Sequence, residues 1–132
     1  MLLFDTSVLI DFERELAEGR IGPVRAFLGR HGAEDLACST ITVGELATGR
    51  NEVSTRVLLR NLRKIPVSEA IAYRAAELDR KHLLKGLRLG ENDTWIAATA
   101  QHYSATLVYS DGDFERVGSL RRARLGSNIQ RP

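Results

Sequence analysis

The sequence predicts an α/β domain built on a mainly parallel sheet. Short apolar runs, Leu2-Leu3-Phe4, Leu36-Ala37-Cys38 and Thr106-Leu107-Val108-Tyr109, each read as a buried strand. Between them lie stretches whose apolar residues recur at helical spacing, with short connections. Strands that alternate with helices in this way pair in parallel through crossover connections. Such sheets place their ligand sites outside the carboxyl ends of the strands.

The elements follow in order. The first strand ends at Asp5, where Thr6 or Ser7 caps a helix with Val8, Leu9, Phe12 and Leu16 on one face. Gly19, Gly22 and Pro23 break it, and Val24 to Gly29 forms a second short helix. After the second strand, Thr42 opens a helix ending near Gly49. Asn51 starts another, with Val53, Val57, Leu58 and Leu62 expected to face the interior. Ile65-Pro66-Val67 is extended, and Ser68 begins a long helix reaching about Leu84. A polar loop from Lys85 to Glu91 leads to a helix from Asn92 to Tyr103. The last confident strand, 106–109, then closes on the turn Ser110-Asp111-Gly112-Asp113.

The chain has 132 residues, 43% of them hydrophobic and 27% charged, enough for a core without disulfide or metal support. No internal repeat or flexible linker divides it, so residues 1–132 are expected to form a single domain. The longest stretch without a charge, Thr94 to Ser110, is interrupted by polar residues, which argues against a membrane span. Asp5 follows the start too closely for a secretory signal. The lone Cys38 fits a reducing cytoplasm and reads as a small buried hydrophobe. His31, His82 and His102 share no metal-ligand spacing and read as surface or satisfied residues. Trp95 reads as core packing, with base stacking as the other option.

The acids carry a pattern that a net charge of +2 conceals. Asp5 follows the first strand, Glu45 lies early in the helix after the second, Asp93 lies in a first helical turn, and Asp111 and Asp113 follow the last strand. All are expected at one end of the sheet. Each has an ordinary explanation: Asp5 as a helix cap, Glu45 as the capping-box partner of Thr42, Asp93 as a complement to the helix dipole, Asp111 and Asp113 as turn residues. Together, four carboxylates within a few ångströms repel one another by about 4 kcal/mol per pair at an effective dielectric of 20. Such a cluster takes up protons or binds a cation, and an oxygen-only set suits Mg²⁺ or Mn²⁺ over Zn²⁺.

The segments Leu3 to Asp11, Ser39 to Gly49, Asn92 to Ala100 and Leu107 to Phe114 resemble, in order and spacing, the motifs of PIN-domain ribonucleases. More narrowly, the chain is similar to VapC-like toxins of bacterial type II toxin–antitoxin systems, over essentially its whole length. The resemblance implies a three-layer α/β/α PIN-like fold with a central, mainly parallel sheet. It implies Asp5, Glu45 and Asp93 as catalytic, metal-coordinating acids, with a fourth from the last motif: Asp111, with Asp113 as its partner, or the reverse. Thr6 matches the small hydroxyl residue near the metal, and Asn92 flanks Asp93 in support. At the place where that motif usually begins with Thr or Ser stands Tyr109. The implied activity is Mg²⁺-dependent hydrolysis of RNA phosphodiester bonds, leaving 5′-phosphate and 3′-hydroxyl ends, with Mn²⁺ as a possible substitute. The implied partners are RNA, a small cognate antitoxin and a second copy of the chain.

Five arginines against one acid follow from Glu115 onward: Arg116, Arg121, Arg122, Arg124 and Arg131. Arg121, Arg122 and Arg124 are the candidates for RNA backbone contacts. Two other readings keep the fold: a non-catalytic module that binds RNA or protein, and a PIN nuclease of RNA processing outside a toxin–antitoxin pair. A haloacid-dehalogenase-type phosphatase is disfavoured, because Ser7 stands where its second Asp is required.

Overall fold

The computed structural model describes residues 1–126, and Arg131 lies outside the described residues. The elements are β1 (Leu2–Phe4), α1 (Thr6–Glu18), α2 (Pro23–His31), β2 (Leu36–Ser39), α3 (Thr40–Thr48), α4 (Glu52–Leu58), β3 (Arg63–Ile65), α5 (Glu69–Lys85), α6 (Glu91–His102), β4 (Thr106–Tyr109), a 3-10 turn (Gly112–Arg116) and β5 (Arg121–Arg124). The five strands form one sheet in the order β3-β2-β1-β4-β5, and every pairing is parallel. The expected architecture, helices on both faces of a parallel sheet, is the one observed.

Alternation along the strands builds the two outer layers. Leu3, Ala37 and Leu107 face α5 and α6, where Ile71, Ala75, Ile96 and Ala97 meet them. Leu2, Phe4, Cys38 and Val108 face the other way, against Val8, Leu9, Val24, Phe27 and Leu46. Cys38 is fully buried, and burial pushes its thiol up to about 11, which keeps it inert.

From β1 the chain crosses to β2 and β3 on one side, then returns to β4 and β5 on the other. The crevice between β1 and β4 is therefore the switch point of the sheet, where ligands bind in folds of this kind. Asp5 closes that crevice from one strand, its N–H donating to Val108 O at 2.9 Å.

Three expectations are corrected. Helix α3 starts two residues early, because Ser39 is its cap: Ser39 Oγ accepts from Ile41 N at 3.0 Å. Thr42 is thus inside the helix and forms no capping box with Glu45. On α4, Val53 and Val57 are 71% and 57% exposed against expectation and Thr55 turns inward instead, while Leu58 packs partly buried on the core and Leu62, beyond the helix, is buried as expected. The strand β5 escapes the hydropathy pattern, since Arg-Arg-Ala-Arg at a sheet edge contains no apolar run.

One buried charge fixes the corner between α1 and α2. Glu15 is fully buried, and its carboxylate accepts from Gly22 N, Val24 N and Arg25 N at 2.9, 3.0 and 2.9 Å. These are free donors of the α2 amino terminus, which Gly22 leaves without a side-chain cap. Gly22 itself must lack a side chain, because a Cβ there would sit 2.6 Å from Glu15 Cδ. Replacing Glu15→Ala strands three donors and should cost about 3 kcal/mol, lowering Tm by roughly 8–12 °C in thermal unfolding. A loss under about 2 °C would show that this carboxylate does not hold the corner.

Candidate active site

Each acid is delivered by a separate piece of the sheet end. Asp5 is the cap of α1: Ser7 N and Ser7 Oγ donate to its Oδ2 at 3.4 and 2.6 Å. It is only 3% exposed, and burial raises its carboxyl above the usual range, against the pull of the bonds from Ser7 and the backbone and with the nearby Glu45 adding to the rise. Glu45 comes from α3, which packs against α1 and α6. Thr6 Oγ1 donates to Glu45 Oε1 at 2.7 Å and lies 3.0 Å from the fully buried Thr42 Oγ1.

Asp93 stands in the first turn of α6, half-buried. Its carboxyl is pushed up to about 6, first by burial and then by the charges of Asp5, Glu45, Asp111 and Asp113. All the acids anticipated from the sequence therefore act on one another through space. Asp111 caps the 3-10 turn, its Oδ1 accepting from Asp113 N at 3.0 Å. Asp113 carries a counter-ion, Arg116 at 3.5 Å, whereas no arginine or lysine pairs with Asp5, Glu45, Asp93 or Asp111 among the ion pairs formed. Asn92 is exposed beside Asp93.

The donor set fits a hard divalent cation: oxygen ligands only, several carboxylates without an ion-pair partner among the described residues, and one carboxyl that burial and neighbouring acids raise above the usual range. The pocket is open. Among the described residues, no three His, Cys, Asp or Glu side chains already close around a single point with metal-ligand spacing.

The basic candidates separate. Arg122 directs one guanidinium nitrogen at the carbonyls of Phe114, Glu115 and Val117, at 3.3, 3.0 and 2.9 Å, and so holds the 3-10 turn together. Arg124 pairs with Glu115 at 2.6 Å and lies against Gly112, beside the acids. Arg121 is at the opposite end of β5, paired with Thr106, away from them. His82 departs from the expectation of a surface or satisfied residue: it is 4% exposed and its Nδ1 has no hydrogen-bond partner. Trp95 packs partly buried against the core, as its helical spacing suggested.

Sequence reasoning passed over Ser7, Thr42 and Ser110 as site residues. Ser110 Oγ donates to Ser7 Oγ at 3.2 Å, joining the loop after β4 to the cap of α1. Their signal is position alone, a hydroxyl one to three residues beyond a strand end.

Comparison with known proteins agrees with this geometry. The family model of the PIN domain matches residues 2–120. The chain belongs to the PIN-domain family, in its branch of VapC ribonuclease toxins. Ribonuclease VapC4 of Mycobacterium tuberculosis is 30% identical over 122 residues, covering 85% of this chain and 87% of that protein. FitAcB from Neisseria gonorrhoeae is similar at 26% identity with a TM-score of 0.78, covering 92% of this chain and 96% of the other. VapBC2 from Rickettsia felis, solved bound to a DNA fragment from its promoter, shares the fold with a TM-score of 0.80 at 22% identity, over 94% and 98% of the two chains.

The repulsion on Asp93 has a measurable consequence. A carboxyl raised from 3.8 to about 6 binds its proton more tightly in the folded protein, so metal-free stability falls as pH rises from 4 through 6. Asp93→Asn removes that burden. At pH 7.5 with chelator, the variant should be more stable by about 1 kcal/mol after solvent screening at this half-buried site, roughly 3 °C in Tm. The gain should shrink towards zero by pH 4. A variant no more stable than the parent at pH 7.5 would contradict the assigned repulsion.

Proposed function

We propose that the protein is a Mg²⁺-dependent endoribonuclease toxin in which Asp5, Glu45, Asp93 and Asp111 hold the metal, with Mn²⁺ able to substitute. The observation that carries this reading is Asp93, a half-buried carboxyl opposed by four other carboxylates and joined in no ion pair among the described residues. Asp111 is favoured as the fourth acid, because Asp113 is already paired with Arg116. Bound there, the cation supplies a water of lowered pKa and charge neutralisation at the scissile phosphate.

The chain's own groups do the rest. Glu45 Oε1 is committed to Thr6, which leaves Oε2 as the oxygen that would either join the metal's ligands or accept a proton from the attacking water. Thr6, seated against Thr42, keeps that carboxylate aimed at the crevice. Arg116 and Arg124, ion-paired with Asp113 and Glu115 at the turn that carries Asp111, are the basic side chains proposed to meet an RNA backbone and offset the repulsion from the acids. Arg122 takes no part in this, since its guanidinium is used within the fold.

A cognate antitoxin is supported by the apolar side chains that α1 and α4 leave exposed, Leu16, Val53 and Val57, two of which line one cavity with Phe12 and Leu58. Homodimerisation is supported by Tyr73 and Leu84, 71% and 87% exposed on α5. No helix among the described residues is long and apolar enough to cross a membrane, in keeping with action in the cytoplasm.

The test is cleavage of an RNA oligonucleotide by wild type, Asp5→Asn and Asp93→Asn. Each substitution should lower kcat by roughly 100-fold or more, and chelation should abolish wild-type activity, which added Mg²⁺ restores. Equal rates in all three proteins, or cleavage that ignores chelator, would overturn the assignment.

A further inference from the structure

Two hydroxyl side chains end β4 and are used in opposite ways. Tyr109 is buried, meets Phe114 edge-on at 5.9 Å, and its hydroxyl donates to Glu115 Oε1 at 3.3 Å, on the outer side of the 3-10 turn. Its phenol is thereby withdrawn from the acids. Ser110 is half-buried, and its single hydroxyl proton has two acceptors within reach, Ser7 Oγ at 3.2 Å and the Asp11 carboxylate, only one of which it can serve at a time. Ser7 in turn spends its only hydroxyl proton on Asp5 Oδ2, at 2.6 Å, while its backbone N–H reaches the same oxygen at 3.4 Å. Both bonds fall on one oxygen, so the rotamer of Ser7 sets the plane of the Asp5 carboxylate.

That plane matters because the neighbouring acids push against it. A serine hydroxyl has three staggered positions, and only a partner on its far side selects one. Ser110 is that partner for Ser7, and the Asp11 carboxylate, about one turn further along α1, is the competing acceptor for the same Ser110 proton. The link also runs between the two loops that deliver Asp5 and Asp111, since Ser110 directly precedes Asp111 in the chain.

We propose that Ser110 is a positioning residue for the metal site: by donating to Ser7 Oγ it leaves the Ser7 proton to Asp5 and ties the Asp111 loop to the α1 cap. This rests on the reading of the acids as a metal-binding nuclease site, and the test separates the two. Mg²⁺ binding to the RNA-free protein is measured by calorimetry, cleavage of an RNA oligonucleotide by steady-state kinetics, and folding by Tm, for wild type, Ser110→Ala, Ser110→Thr and Asp11→Asn.

Ser110→Ala should weaken Mg²⁺ binding by roughly 5- to 20-fold and lower kcat by a similar factor, the scale of one hydrogen bond, with RNA KM changed less than about twofold. Its Tm should stay within about 2 °C of wild type. Ser110→Thr should restore both quantities, and Asp11→Asn, which weakens the competing acceptor for the Ser110 proton, should reduce neither. Unchanged Mg²⁺ affinity and kcat in Ser110→Ala, beside an active wild type, would overturn the positioning role alone. So would a loss that Ser110→Thr does not recover. A wild-type protein that neither takes up Mg²⁺ nor cuts RNA would overturn the nuclease reading and this inference with it.

Discussion

Mutual repulsion among carboxylates at the carboxyl end of a parallel sheet is the constraint on which the rest of this protein depends. Asp5, Glu45, Asp93 and Asp111 come from four separate segments of the chain; hydrogen bonds that do not neutralise them hold Asp5, Glu45 and Asp111, and Asp93 is set by its place in the first turn of α6. Hydrogen bonds from Ser7 and Thr6 orient the charges; no arginine or lysine among the ion pairs formed removes them. A domain of this size has a net stability of about 5–15 kcal/mol, so a standing electrostatic cost of this kind is a substantial part of it. The arrangement is sensible only if the negative pocket is put to use, and an all-oxygen set of this charge is suited to a divalent cation and, through it, to a phosphate.

The scaffold bears that cost by being rigid where the acids attach. Leu3, Phe4, Leu107 and Val108 are fully buried on the two strands that flank the crevice, so Asp5 and Ser110 leave from fixed points. Glu15 ties α1 to α2, and Arg122 ties the 3-10 turn to β5, each by three bonds to backbone atoms. Both are charged groups satisfied by peptide dipoles, which fixes geometry without placing a counter-charge near the acids.

Much of this was legible in the sequence. The three apolar strands and the long helices announce themselves through period and caps, and the acids could be assigned to one end of the sheet from their places after strands or at helix starts. What escaped did so for physical reasons. The strand β5 is an edge strand whose arginines carry no hydropathy signal, so residues that looked like free basic surface proved to be partly structural. The inward face of α4 was misjudged because valine at helical spacing looks the same whether it meets a core or a partner. The capping box at Thr42 and Glu45 was a correct spacing in the wrong place, since Ser39 starts the helix first. Ser110 and Ser7 were passed over because a serine's role lies in its partner, and that partner is 103 residues away.

The central claim is that burial at the sheet end, reinforced by the charges of the neighbouring carboxylates, holds the Asp93 carboxyl above the ordinary range. Site-resolved carboxyl ¹³C NMR titration of Asp93 measures this directly, first in metal-free protein and then with saturating Mg²⁺. The account predicts a midpoint near 6 without metal and a fall below about 4 when the cation is present, as an adjacent positive charge requires. A midpoint near 4 in the metal-free protein, unmoved by Mg²⁺, would contradict it.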